Sequence, residues 1–453
     1  METGSISGRM RSAILFLPGV HMIGHRLAAI ALLVALPTFA WGQPADRIVA
    51  AKATSPAATF AVRPAGMKSF QMLPGGAELA AGELLVTLPG ASLESKNGAV
   101  AVKSYADYDG VSPLPILETA FTLTDSKSAD LEFTLDRGRV DLTNAKAEGA
   151  ATVKVKFWDQ TWTMKLDSPG TRVALELCGR WPAGTRFKPR DPKKTGPEPS
   201  PVASLVLLVF KGSASVSIGD FTIGMKAPPG PALIEWDSLE GARPEAKKLE
   251  KLPDWADPEA VATERGKKAA EAVERFRAAR AENPAAAIQK FLDSADPVEQ
   301  RVALVTLGAL DELELLAKEL AEAKSLEEWD FGITVLRHWL GRSPGQDQKF
   351  YDYLIAVRGY DKNQARIIIQ LLYGFSKTEL MQPETIDVLI EYVRSDIPAI
   401  RNLAVWHLVR LVPKGKEIAY KPDGSKADAE KSYQEWRKLV PPGTLPPRDE
   451  KKN

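Results

Sequence analysis

Apolar and polar residues alternate with a period of two through the middle of the chain. Three runs between residues 131 and 177 show this most regularly: Leu131–Leu135, Val153–Phe157 and Trp162–Leu166. Successive side chains of a strand point to opposite faces, so the alternation predicts strands with one buried and one solvated face. The apolar phase flips across Trp158–Thr161, which predicts a turn there and places Trp162 in the core.

A glycine interrupts this alternation at one point. The alternation ends at Leu135 and restarts at Val140, so the chain must turn or bulge between Asp136 and Arg139. Glycine adopts positive φ without a clash of a Cβ atom. The sequence therefore predicts a tight turn or a bulge at Gly138.

Short alternating runs and turn signals continue from about residue 60 to residue 237. Asn97-Gly98 is a strong hairpin dipeptide, and the almost fully apolar run Ser204–Phe210 is typical of a strand buried on both faces. We predict an all-β domain over residues 60–237, built as a sandwich, a roll or a solenoid. The polar, proline-rich stretch Lys188–Pro201 is predicted to be an exposed loop within it.

A charged, proline-containing segment over residues 238–257 is predicted to be a linker. Little apolar surface is available there to offset the entropy of ordering, so we expect Glu240–Leu252 to be poorly packed. Limited proteolysis in this segment is expected to give a β fragment and a helical fragment. Asp257 is placed to cap a helix that starts at Pro258.

Helical periodicity with short connections extends from residue 258 to residue 440, and residues 441–453 are predicted to be a disordered tail. Two segments carry the same pattern of a capping Asp, a Pro in the first turn, and small and leucine residues along one seam. They begin at Asp296 and Asp396. This pattern resembles HEAT-like repeats and implies an α-solenoid of helix pairs.

The order of motifs in the β domain resembles the FecR-type extracytoplasmic domain of bacterial envelope proteins, over about residues 75–230. The motifs are, in chain order, Gly82–Thr87, Leu135–Val140, Pro169–Thr171, Gly184–Phe187 and Leu207–Val216. The resemblance implies the fold of that domain and a location in the cell envelope. Signalling members of the family resemble a cytoplasmic segment, a membrane helix and a periplasmic domain in series, whereas here only residues 1–26 precede the first apolar run.

Residues 1–42 match the three-part pattern of a signal peptide. Arginines precede the apolar run Leu27–Trp41, and cleavage after Gly42 would leave Gln43 as the new terminus. The run has about 15 residues and contains Pro37, whereas a membrane span needs roughly 20. We expect an exported, periplasmic or envelope protein that starts at Met1 or Met22. The alternative is a single-pass protein that retains Leu27–Trp41 as its anchor.

Composition narrows the classes of partner. The formal net charge of +1 over 453 residues does not favour nucleic acid. Cys178 is the one cysteine, so an internal disulfide is excluded, and its strand context predicts a buried, unreactive side chain. His338 and His407 lie far apart in predicted helices, which favours packing roles over metal ligation.

Catalytic motifs for nucleophilic, metal-dependent or phosphate chemistry are absent from the sequence. We predict a non-enzymatic protein without a cofactor or a metal. The tryptophans of the β domain are the one feature that suggests ligand binding, because exposed aromatic rings bind sugars or peptides whereas buried rings fill cores. Trp158 and Trp181 are the candidate ligand-binding residues.

Three functions remain open from the sequence. The first is an exported envelope protein whose FecR-like domain senses or holds a ligand or a protein partner, while the helical repeats present a second protein-binding surface. The second is a polysaccharide-binding or polysaccharide-degrading module, for which a glycan would be the partner. The third is a membrane-tethered regulator of transcription signalling that keeps its N-terminal anchor.

Overall fold

Strands come first along the chain and helices follow. The computed structural model describes residues 47–64, 66–108, 112, 114–190, 199–241, 243–257, 263–323 and 326–446, with the backbone alone for 326–328. The predicted signal peptide, its alternative as an anchor, and residues 447–453 of the predicted tail lie outside these ranges. Residues 441–446 are described, and the Gly443 amide donates there to Asp387 Oδ2 (2.9 Å).

All strands within the described ranges precede residue 250. In chain order they are β1 (Val49–Ala53), β2 (Phe60–Arg63), β3 (Gln71–Met72), β4 (Glu78–Ala80), β5 (Leu84–Thr87), β6 (Ser92–Ser95), β7 (Val100–Tyr105), β8 (Thr119–Thr124), β9 (Leu131–Asn144), β10 (Ala151–Phe157), β11 (Gln160–Leu166), β12 (Arg172–Arg180), β13 (Val202–Lys211), β14 (Ser213–Ile218), β15 (Phe221–Lys226), β16 (Gly230–Asp237) and β17 (Ala246–Leu249). The β part therefore begins at β1, before residue 60, which is the start that the sequence predicts. The first strands are too short for alternation to reveal them.

The helices of the described ranges follow from residue 264. They are α1 (Glu264–Glu282), α2 (Pro284–Leu292), α3 (Pro297–Ala309), α4 (Leu313–Glu322), α5 (Leu326–Gly341), α6 (Gln346–Ala356), α7 (Lys362–Tyr373), α8 (Lys377–Leu380), α9 (Pro383–Tyr392), α10 (Pro398–Leu411) and α11 (Lys426–Leu439). The predicted order, β followed by α, is confirmed. None of these helices is both long enough and apolar enough to cross a membrane.

The strands form two ladders that share β9. One ladder runs β4-β1-β6-β7-β9-β12-β13-β16-β17 and is antiparallel throughout. The other runs β3-β2-β5-β8-β9-β10-β11-β14-β15, with β9 and β10 parallel. The first half of β9 belongs to the second ladder and its second half to the first ladder. One long strand thus connects the two layers.

Gly138 is the point at which β9 passes from one ladder to the other. Its φ is +92°, and the pairing of β8 with β9 shifts by one residue just before it. Core side chains of β9 occupy odd positions before Gly138, as at Phe133, and even positions after it, as at Leu142. The predicted bulge is confirmed. It flips the buried face so that both halves of the strand face the same core.

The core between the ladders is apolar and rich in aromatic side chains. Trp162 is fully buried, as predicted, and the Phe157 ring lies between the rings of Trp162 and Trp236 at centroid distances of 5.1 and 5.3 Å. Because Phe157 and Trp236 belong to different ladders, this contact joins the two layers directly. Edge-to-face packing of this kind adds specificity to the burial of apolar area.

The start of a helix depends on which residue precedes its first proline. Asp296 caps α3 as predicted, accepting from the Val298 amide at 2.9 Å. Asp396 does not cap α10, because Pro398 is the first helical residue and Ile397 therefore takes the cap position. Its carboxylate contacts Lys426 instead (2.7 Å). Helix α1 is capped by Thr263, and Pro258 lies outside the described residues.

The segment predicted to be a poorly packed linker is ordered in its second half. β17 pairs with β16, and Leu252 and Trp255 pack with Leu249 against the outer face of the first ladder. The prediction for Glu240–Leu252 is therefore wrong from Ala246 onward. Apolar residues lie between the charged ones, and they supply buried surface that the high charge density did not predict.

The strands and helices share a hydrophobic core within one compact unit. Leu88, Tyr108, Leu117, Trp181 and Phe187 of the β part are buried in the same cluster as the helical core. The fragments expected from proteolysis would therefore each expose apolar surface that the intact chain buries. Whether either part folds alone stays a prediction.

Candidate functional site

Buried charged side chains lie where helix α5 packs against the strands. Glu118, just before β8, and Arg137, on β9, come from the β part, while His338 lies on α5 and Arg342 directly follows the end of that helix. We call these four residues the polar junction. Their burial requires mutual pairing, because an uncompensated charge in a protein interior costs several kcal/mol, on the order of 3–5 when one partner of a pair is removed.

Glu118 is the centre of the polar junction. Arg137 Nε donates to Glu118 Oε1 at 2.6 Å, and His338 Nε2 lies 3.3 Å from Glu118 Oε2. The second contact is an ion pair without well-aligned hydrogen-bond geometry. One carboxylate thus joins a strand to a helix through two cationic partners.

The charges of the polar junction lower the pKa of Glu118 and raise the pKa of His338. Burial opposes ionisation of Glu118, but His338 and Arg137 outweigh it and hold the pKa of this carboxyl well below its usual range. Burial also opposes the imidazolium of His338, yet the Glu118 carboxylate raises the His338 pKa to about 10. Both groups are therefore charged near neutral pH.

Arginines of the polar junction also bind the end of α3. Arg137 Nη2 donates to Ala309 O (3.3 Å), and Arg342 Nη1 donates to Gly308 O (3.1 Å). Asp311, which follows this helix end with φ of +65°, pairs with Arg342 and with Arg63 of β2. Cations at the carbonyl end of a helix are favoured by its dipole. The polar junction therefore fixes α3 as well as α5 on the strands.

A small cavity of about 10 Å³ lies beside Glu118 and is lined by Tyr108 and Arg280. Among the described residues the buried Tyr108 hydroxyl has no hydrogen-bond partner. Arg280 Nε contacts Met72 Sδ (2.8 Å), and burial lowers the Arg280 pKa to about 10. A space of this size admits one water molecule and excludes an organic substrate.

A second buried charge cluster lies on the outer face of the first ladder. Arg139 contacts Asp141 (2.9 Å) and Glu176 (3.3 Å), and its guanidinium lies over the rings of Tyr105 and Trp255 at 4.6 and 5.4 Å. Burial raises the pKa of both carboxyls, against the opposing effect of Arg139. Trp255 and its neighbours cover this cluster, so it is closed to solvent.

The two tryptophans proposed as ligand-binding residues have different surroundings. Trp181 is only 7% exposed: it stacks on Tyr373 at 4.6 Å, and its Nε1 donates to Leu340 O (3.1 Å). Its ring is therefore covered by the helices and serves the contact between strands and helices. Trp158 is 41% exposed at the tip of the β10–β11 hairpin.

The remaining residues singled out in the sequence are buried. Cys178 is a buried free thiol, in agreement with its prediction. His407 packs between the rings of Phe375 and Trp406, and its Nε2 contacts Leu371 O (2.7 Å), so the packing role predicted for it is confirmed. His338 also lies in a packed helix, but its contact with Glu118 was missed. Within the described ranges no group of three or more potential metal ligands is present.

We expect the two histidines to shape the pH dependence of stability in opposite ways. His338 has a folded-state pKa raised from 6.5 to about 10, so its contribution is complete below pH 6.5 and is lost as the pH rises towards 10. Burial, with Arg337 and Arg410, lowers the His407 pKa to about 4, so its contribution is complete above pH 6.5 and is lost towards pH 4.

Thermal melts of the full chain from pH 4 to 10 test this expectation. His338→Gln should reduce the loss of stability between neutral and alkaline pH. Each unit by which the pKa differs between the folded and unfolded states corresponds to about 1.4 kcal/mol of stability. His407→Gln should flatten only the acidic side and thus serves as the matched control. Equal pH profiles for the two variants would contradict the ion pair between His338 and Glu118.

No family model, curated protein or solved structure matches this chain.

Proposed function

We propose that this chain is an exported, non-enzymatic envelope protein. In this proposal a FecR-like β domain holds a ligand or a protein partner, and a degenerate HEAT-like array of helices presents a second, protein-binding surface. The mature chain would begin at Gln43. The resemblance of the motifs and the leader pattern motivate the location and the family, and the geometry of the polar junction supports the absence of catalysis.

The observation that carries the proposal is the burial of the ionisable pair in the polar junction, Glu118 and His338. A general acid or base must reach the proton that it transfers, usually within about 3 Å or through one water. Glu118 and His338 are covered on all sides and are held in an ion pair. The adjoining cavity, at about 10 Å³, is far smaller than ligand pockets of roughly 300–1,000 Å³.

The same contacts support a role in holding two surfaces in a fixed arrangement. The ion pair of His338 with Glu118, the stacked Trp181 and the shared core join strands and helices. Domain contacts that are large and apolar suppress relative motion. A partner bound to the β part and a partner bound to the helices would therefore be kept at a constant distance.

Exposed apolar side chains of the helical part are suitable positions from which to detect a bound partner. Val357, just after α6, is 58% exposed, and Val388 on α9 is 46% exposed. Single exposed apolar residues are common on protein surfaces, so these positions are proposed as reporters of a partner rather than as its binding site.

The proposal is tested in the organism that encodes the chain. Fractionation of a C-terminally tagged protein should place it in the envelope, and mass spectrometry should find a mature terminus at Gln43. A photo-crosslinker at Val388 should then yield a discrete crosslinked protein, whereas one at buried Leu389 should not. Recovery of the full-length chain from the cytosol would refute the proposal. Retention of Leu27–Trp41 in a membrane fraction would favour the tethered regulator.

A further inference from the structure

The tip of the β10–β11 hairpin exposes a tryptophan in an unfavourable backbone conformation. Phe157 pairs with Gln160, which leaves Trp158 and Asp159 as a turn of two residues. Trp158 has φ of +51° and an indole that is 41% exposed. Turns of this length prefer glycine, asparagine or aspartate where φ is positive, because their side chains tolerate that conformation. Neither backbone preference nor burial explains a tryptophan here.

The hairpin beneath Trp158 is rigid. Phe157 and Trp162, which flank the turn, are fully buried, and their rings pack edge to face at 5.1 Å. Seven consecutive residue pairs join the two strands without a register shift. The backbone that carries the exposed indole is therefore held at a fixed position, and only the side-chain torsions of Trp158 remain to be ordered on binding. A rigid aromatic ring binds a ligand with little loss of conformational entropy.

Polar side chains suited to hydroxyl recognition directly follow Trp158 in the chain. Gln160 Nε2 donates to Asp159 Oδ1 at 2.9 Å, an arrangement that leaves the other carboxylate oxygen and the amide oxygen as acceptors. A flat aromatic face beside planar hydrogen-bonding groups is a combination that recognises sugars, whose rings present an apolar C–H face and a rim of hydroxyls. We propose that Trp158 stacks on an uncharged pyranose ring of an oligosaccharide, with Asp159 and Gln160 bound to its hydroxyls.

Charge at this end of the hairpins argues against a lipid surface. The pairing of Trp162 with Ile218 brings the Gly219–Asp220 turn to the same end of the second ladder as Trp158. Asp159 and Asp220 are both exposed there, while the Arg243 guanidinium lies over the ring of Phe221, which flanks the same turn, at 3.8 Å. Surface binding to anionic lipid relies on clusters of lysine and arginine, and these mixed charges do not form one. The inference names a ligand for the β part under the proposed function, but purified protein tests it whether or not the chain is exported.

The experiment uses the full mature chain with chitotetraose and cellotetraose as probes, titrated by calorimetry or NMR to about 10 mM, since single stacked sugars bind weakly. Trp158→Gly removes the ring and relieves the positive φ. We expect its dissociation constant to rise by at least about tenfold, the equivalent of about 1.4 kcal/mol, with a melting temperature equal to or above that of the wild type. Trp158→Phe should give an intermediate affinity, and Leu239→Ala, at an exposed position outside this hairpin, should change neither quantity.

Three outcomes would overturn the inference. Wild-type protein that binds neither tetrasaccharide up to the highest concentration excludes the proposed ligand class. A melting temperature that falls clearly in Trp158→Gly shows that the indole supports the fold instead. Capture of the wild type, but not of Trp158→Gly, by phosphatidylglycerol vesicles assigns the tip to a membrane surface. None of these outcomes bears on the proposed envelope location, because fractionation tests that location separately.

Discussion

Replacing Gly341 with alanine is expected to destabilise the full chain by more than about 3 kcal/mol, the upper end of the usual cost of overpacking. Gly341 ends α5 and touches Gly179 of β12 backbone to backbone: a Cβ on Gly341 would lie 2.6 Å from Gly179 O and 2.7 Å from Arg180 Cα. Backbone atoms cannot rotate away as a side chain can. The helix must therefore lift from the strand.

The consequence would extend beyond the two glycines. The same turn of α5 supplies Leu340 O to the Trp181 indole and places His338 beside Glu118. Lifting the helix would weaken the hydrogen bond and separate the charges of the polar junction, which would then be buried without their partners. We therefore expect a fall in the melting temperature together with faster amide exchange in both β12 and α5.

Gly224→Ala is the matched control for this substitution. Gly224 lies in a strand, β15, rather than at the end of a helix; no atom stands within 4 Å of the position of its Cβ, and its φ is not positive. Its substitution should change stability by less than about 0.5 kcal/mol, as is usual for surface positions. A Gly341→Ala protein as stable as the Gly224→Ala protein would show that the helix and strand do not approach so closely.

The order of strands and helices could be predicted because it rests on local periodicity. Alternation predicted β9, β10 and β11, and the capping Asp296 with the proline that follows it predicted the start of α3. The contact of Gly179 with Gly341 has no local signature in the sequence. Each glycine taken alone indicates only a less stable position within its own strand or helix. Contacts between residues distant in sequence are set by tertiary packing, which a pattern along the chain does not encode.

The prediction that the linker is poorly packed was wrong from Ala246 onward for a related reason. Charge and proline density suggested disorder, yet Leu249, Leu252 and Trp255 find apolar surface on the outer face of the first ladder. The balance between disorder and packing depends on the surface that is offered elsewhere in the fold. A single segment does not contain that information.

The polar junction did leave one signal in the sequence that could have been used. Arg137 falls on the odd, apolar phase of Leu131, Phe133 and Leu135, where a charged residue needs a buried partner. The charged Arg137 in this apolar phase predicts a buried ion pair at its position. It does not identify Glu118 or His338 as the partners, because they approach from another strand segment and from a helix.

Replacing Gly138 with alanine is expected to be the more damaging of the two glycine substitutions, with a loss of more than about 4 kcal/mol from strain and overpacking together. Its φ of +92° is unfavourable for any residue with a Cβ. A Cβ would also overlap Glu118 O and Thr119 Cα, and would lie 2.6 Å from Thr119 Oγ1. Thr119 Oγ1 in turn accepts from the Arg139 amide at 3.0 Å, so the clash falls on the contact that holds the bulge.

Gly149→Ala separates the two parts of this cost. Gly149 also has positive φ, +78°, but nothing lies within 4 Å of its Cβ position, so alanine there should cost only the conformational part, about 1 kcal/mol. Denaturant unfolding of both full-length variants gives the comparison. The larger loss at Gly138 would arise because removal of the bulge restores a period of two along β9, which turns either Phe133 or Leu142 out of the shared core. Equal losses at the two positions would mean that positive φ alone matters and that the close approach to Glu118 and Thr119 does not constrain the strand.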